Sequence, residues 1–63
     1  MTLLNRIERY LERSGTTATR FGRDVMSDPA FVRDLRNGRH PSPQTEARIL
    51  AAIEAGDRAR EQG

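Results

Sequence analysis

Four clusters of helix-breaking residues divide this 63-residue chain, and no other feature restricts its fold as strongly. They are Ser14-Gly15, Ser27-Asp28-Pro29, Asn37-Gly38 and Pro41-Ser42-Pro43. Glycine or asparagine ends a helix by taking a left-handed conformation, while Ser, Thr or Asp followed by proline begins one, so the clusters supply stops coupled to starts. Of the segments between them, 16–26 and 30–36 hold only two or three helical turns each, and Arg39-His40 is a mere link. None shows the period-two alternation of a strand, and no repeat or low-complexity run occurs. The expectation is an all-α chain: a compact bundle of four or five short helices with brief connections.

Apolar spacing places those helices. Leu4, Ile7 and Leu11 recur three and four apart with Leu3 and Tyr10 alongside, while Arg6, Glu8, Arg9, Glu12 and Arg13 take the other face. This predicts a first helix over about 2–13. Thr16 or Thr17 can cap a second over 17–25, whose Phe21 and Val25 are four apart. Asp28 as cap and Pro29 at the first helical position open a third over 29–37, ended by Gly38. Ser42 caps a fourth over 43–55 carrying Ala47, Ile49, Leu50, Ala52 and Ile53. Residues 1–56 then form a single domain. After Gly56, residues 57–63 have no apolar periodicity beyond Ala59 and are expected to be a frayed polar tail.

Size and composition exclude much. The chain is too short for a multidomain enzyme, and 35% hydrophobic residues with two Phe, one Tyr and no Trp suit one thin layer of helices without a deep cofactor cavity. Without cysteine there is no disulfide, thiolate zinc site or cysteine nucleophile. His40 is the one histidine, so no metal site is expected. The carboxylates stand mostly one turn from arginines, and the glycines are scattered rather than gathered into a phosphate loop. The reading is therefore not an enzyme, with no cofactor. No segment approaches the ~20 apolar residues of a membrane span, and Asn5, Arg6, Glu8 and Arg9 interrupt the N-terminus where a signal peptide would be apolar. No membrane is expected as a partner, and a cytoplasmic location is.

All eleven basic residues are arginine, and against nine acidic residues the net charge is only +2. The excess is central: Arg20, Arg23, Arg33, Arg36 and Arg39 stand against Asp24, Asp28 and Asp34, with His40 beside them. There a short helix, a tight connection through Met26–Asp28 and a second helix ending at Asn37-Gly38 imply two helices crossing steeply. Gly22 can supply the small residue that such a crossing needs, which would account for a helical glycine that costs about 1 kcal/mol relative to alanine.

Residues 16–43 closely, and the flanking helices loosely, resemble the lambda-repressor-like helix-turn-helix family of Cro and cI (XRE) type in its short bacterial or prophage-derived form. Phe21-Gly22 is similar to the family's apolar-then-small pair. The run from Phe31 to Gly38 resembles its recognition helix and glycine end, and Arg39-His40-Pro41 the basic loop that follows. Met26 stands where the family often places a turn glycine. The resemblance implies a sequence-specific transcriptional regulator of double-stranded DNA at the bacterial nucleoid, with helix 3 in the major groove and helix 2 across the phosphates.

On a wheel of 100° per residue, Phe31, Val32 and Leu35 share the core arc of helix 3, leaving Ala30, Arg33 and Asn37 opposite, with Arg36 toward one edge and Asp34 toward the other. Phe31 fits either the core or an aromatic wedge against a thymine methyl. Arg33 is the leading base reader, because its fork matches the two acceptors of guanine; Arg36 or Asn37 can contact base or phosphate, and Ala30 a thymine methyl. Thr17, Thr19, Arg20, Arg23, Arg39 and His40 are the phosphate-contact candidates. Asp28 is read first as a cap.

One subunit of this size offers few contacts, so a homodimer or another DNA-bound regulator is the expected partner. Ile49, Ala52 and Ile53 of helix 4 either close the core or form the pairing surface. The alternative to DNA binding is a protein-interaction adaptor, antirepressor or antitoxin built on the same fold, with RNA binding disfavoured by the scarcity of aromatics.

Overall fold

The computed structural model describes residues 2–62, and it is all-helical: α1 (Leu3–Ser14), α2 (Ala18–Met26), α3 (Phe31–Arg36) and α4 (Pro43–Gln62). Each start and stop has a local cause. Thr2 Oγ1 accepts from the Asn5 amide at 3.1 Å, and α1 ends where Gly15, at φ 71°, turns its N–H back on the Leu11 carbonyl. Thr17, rather than Thr16, caps α2 by accepting from the Arg20 amide at 3.1 Å. Ser42 caps α4 by accepting from the Thr45 amide at 3.2 Å.

The third helix is shorter than the 29–37 expected, and the connection between α2 and α3 correspondingly longer, running over residues 27–30. The Phe31 amide bonds the Asp28 carbonyl at 3.0 Å, so Pro29 and Ala30 are the central residues of a turn, and α3 proper has only six residues. Asp28 Oδ1 accepts from the Ala30 amide at 3.0 Å, so it braces the turn and does not cap the helix as its sequence position suggests; the N-cap position falls to Ala30, which has no side-chain cap bond. At the other end the Arg39 amide reaches the Asp34 carbonyl at 2.9 Å and the Gly38 amide that of Leu35 at 3.1 Å, with Gly38 at φ 102°. This paired termination needs a left-handed residue, and glycine takes it without strain. Ser27 ends α2 in the same region, at φ 54°, with a side chain that makes the conformation costlier.

All four helices contribute to one core: Ile7 and Leu11 from α1, Phe21 from α2, Phe31, Val32 and Leu35 from α3, Ile49 and Ile53 from α4. Phe31 is fully buried, which assigns it to the core rather than to an exposed wedge. Gly22 is buried where α2 crosses the start of the α3 turn. A Cβ there would be driven into the Asp28 carbonyl oxygen and would approach the Phe31 Cβ to 3.3 Å. The crossing therefore requires glycine, because the obstruction is backbone.

The tail expected at 57–63 is corrected by the structure over 57–62, residue 63 lying outside the described residues. Helix α4 continues through residue 62, and Gly56 lies inside it as the gap over which Tyr10 of α1 rests. Tyr10 also packs on Phe21, with ring centroids 5.7 Å apart, beneath the guanidiniums of Arg13 and Arg60. Asp57 receives two bonds from Arg13, at 2.9 and 2.7 Å, and one from Arg60, while Arg60 also donates to the Arg13 carbonyl at 2.9 Å. Polar pairing to α1 extends the helix where apolar spacing runs out.

Candidate functional site

The face built by α2 and α3 follows from the core. Burial of Phe31, Val32 and Leu35 fixes the rotation of α3, and the remaining positions must turn outward. Arg33 and Asn37 are exposed and Ala30 half-buried, so the three residues expected opposite the core lie on the accessible side of the turn and helix. Among the described residues Arg33 has no carboxylate partner. On α2, Thr19, Arg20 and Arg23 are exposed; Arg20 lies 3.6 Å from Asp24 one turn on, a loose and solvated pair. Thr17 is exposed as well, although its hydroxyl is already occupied as a cap. His40 is exposed in the loop before α4.

Two arginines from the expected contact set are engaged within the chain. Arg36 donates to both carboxylate oxygens of Glu8 on α1, at 2.8 and 2.6 Å, in the fork-to-fork geometry that a guanidinium favours. Hydrogen bonding from Arg36 holds the Glu8 carboxyl below its ordinary range against the opposing effect of burial, with the guanidinium's charge adding to the same direction. Arg36 thus ties α3 to α1 and is drawn toward that edge of the face, away from Arg33.

Arg39 is held from three sides. One terminal nitrogen lies 3.2 Å from Asp28 and 3.4 Å from Asp34, and the guanidinium stands 5.2 Å above the Phe31 ring. It joins the residue that opens the α3 turn to one inside the helix, and lies over the Phe31 ring. Spacing alone gives little notice of these pairs, since Glu8 and Arg36 are 28 positions apart and Arg39 follows Asp34 by five. The available signal was weaker: carboxylates at 28 and 34 flanking a basic helix end.

The other end of the molecule carries a second polar cluster. Asp57 is held below the ordinary carboxylate range first by hydrogen bonds from Arg13, with burial opposing and the charges of Arg13 and Arg60 contributing in the same direction. Among the described residues no group of three or more His, Asp or Glu side chains converges as a metal site. No described helix is long and apolar enough to cross a membrane.

Comparison with known proteins gives no match: no family model, no curated protein and no solved structure matches the chain.

Proposed function

We propose that this chain is a lambda-repressor-like, sequence-specific transcriptional regulator that binds double-stranded DNA with α3 in the major groove and α2 along the phosphates. It would act in the bacterial cytoplasm, at the nucleoid, as a dimer or beside another DNA-bound regulator. The observation that carries this reading is the exposed Arg33, without a carboxylate partner among the described residues, on a helix whose opposite side is anchored in the core. A guanidinium presented by a rigid helix can bond both acceptors of a guanine edge. Ala30 and Asn37 flank it as further base contacts, with Thr17, Thr19, Arg20, Arg23 and His40 on the phosphates.

The ion pairs refine the roles of the other two arginines. Arg36 reaches DNA only by exchanging Glu8 for a base or phosphate, and Arg39 only by leaving Asp28 and Asp34, so both serve first to hold α3 in position. Selection from random duplexes followed by footprinting tests the proposal. A recovered site in which Arg33→Ala relaxes one base position supports it, whereas duplex binding indifferent to Arg33 and Arg23 refutes it.

The same internal pairing favours a second reading, because it leaves the α2–α3 face less basic than its arginine content suggests: a protein-interaction adaptor, antirepressor or antitoxin. A stoichiometric protein complex without any shift of duplex DNA at low salt would select this reading.

A further inference from the structure

Helix α1 is used on two flanks. One turns Glu8 to α3. The other carries Arg6, Arg9 and Arg13, spaced three and four apart, beside α4, and a groove runs between them. Its floor is Leu50 and Ile53; its α4 wall carries Glu54, Asp57 and Glu61, again three and four apart, with Arg58 beside Glu54. No residue of α2 or α3 lines it. One wall is thus basic and the other predominantly acidic over an apolar floor.

We infer that this α1–α4 groove is the surface on which two copies of the chain pair. The charge layout selects the occupant. A two-fold axis along the groove brings the basic wall of each copy over the acidic wall of the other, and sets the half-buried Leu50 side chains of the two copies against each other. The groups facing the groove support this after internal pairs are removed. Arg13 is committed to Asp57, and Arg58 to Glu54 at 2.6 Å in an exposed one-turn pair that opens readily. Arg6 and Arg9 on one wall and Glu61 on the other have no ion-pair partner among the described residues. A uniformly acidic partner would satisfy the first wall and be repelled by the second. A second copy satisfies both.

The groove runs from Arg6 to Arg13 on α1 and from Leu50 to Glu61 on α4, about 10 and 16 Å of helix, and at ordinary helix spacing it offers each copy a face of about 300 Å². Two such faces lie in the range of weak, transient interfaces, so the dimer is concentration-dependent. This inference names the surface for the dimer in the proposed function, and it stands or falls without DNA. It also shifts the pairing surface expected from Ile49, Ala52 and Ile53: Ile49 is fully buried in the chain's own core, Ala52 does not line the groove, and Ile53 offers it only the edge that the core leaves uncovered.

Sedimentation equilibrium of the full chain tests it with charge reversal. The wild type is expected to shift from 7.1 kDa toward twice that mass as concentration rises. Arg6→Glu with Arg9→Glu, and separately Glu54→Arg with Glu61→Arg, should each remain monomeric, and mixing the two variants should restore the dimer. Circular dichroism melts establish that both variants are folded. A wild type that is monomeric throughout its soluble range overturns the inference, as does a wild-type dimer that both reversals leave intact or that mixing fails to restore. Duplex binding measured on the same samples separates this outcome from that of the DNA proposal.

Discussion

Gly22 and Arg33 represent two kinds of constraint on a single residue. At Gly22 the limit is steric: the Asp28 carbonyl occupies the space of a side chain, and a backbone atom cannot swing aside. Gly22→Ala should therefore destabilise the fold by about 1–3 kcal/mol despite alanine's better helix propensity, as measured by urea or thermal unfolding. Arg33 is the opposite case, since it has no described partner to lose. Arg33→Ala should leave the melting temperature nearly unchanged while losing about 1–3 kcal/mol of duplex affinity at one base position. Arg39→Ala should differ from it by lowering thermal stability, because it removes the cover of Phe31 and leaves Asp28 and Asp34 adjacent without their shared cation. Equal melting temperatures for the two alanine variants would contradict this distinction.

The elements are too short to be stable by themselves, and α3, at six residues, is shorter than any helix that persists alone in water. Its geometry is imposed from outside: the Asp28 turn at one end, the Gly38 termination at the other, Arg36 tied to Glu8, and three core side chains beneath. α4 shows the same dependence at its C-terminal end, where Asp57 and Arg60 bind α1. These pairs have a pH signature. The carboxyl groups of Glu8 and Asp57 are both lowered on folding from their ordinary values of 4.5 and 3.8. The unfolded chain therefore takes up protons first, so their contribution is complete above those values and disappears as pH falls through the lower folded-state values. Thermal melts should show stability declining on the acid side of about pH 4.5, and Glu8→Gln and Asp57→Asn should each flatten part of that decline.

For the molecule as a whole, the two ends of the bundle present different electrostatics. The α2–α3 face keeps Arg23 and Arg33 exposed with no described carboxylate partner, its other arginines being paired with Asp24, Glu8, Asp28 and Asp34, whereas the α1–α4 groove balances its walls against each other. Under the proposed function, DNA binding at the first should be strongly salt-dependent: three or four neutralised phosphates give a slope of log affinity on log salt near about −3 per chain. Breaking the pairing groove should reduce the slope of the assembled regulator toward the single-chain value without changing the base preference set by Arg33. A slope near zero would exclude a phosphate-contacting role for the α2–α3 face.

Local rules made most of the fold legible in the sequence. Capping hydroxyls at Thr17 and Ser42 and the glycines at 15 and 38 act within a few residues, so spacing alone reveals them, whereas the start expected at Asp28-Pro29 is a turn and the helix begins at Phe31. Apolar periodicity likewise identified Ile7, Leu11, Phe21, Val32, Leu35, Ile49 and Ile53, because each helix must bury one stripe. The resulting outward face of α3, with Arg33 on it, was equally legible. The rest depended on which elements meet in space. Only the packing of α1 against α3 and α4 brings Glu8 to Arg36 and Arg13 to Asp57, and only the position of Tyr10 makes Gly56 a contact within α4 rather than its end. Such pairings join residues 28 to 47 positions apart, and no periodicity within a single helix can encode which distant charge will face it.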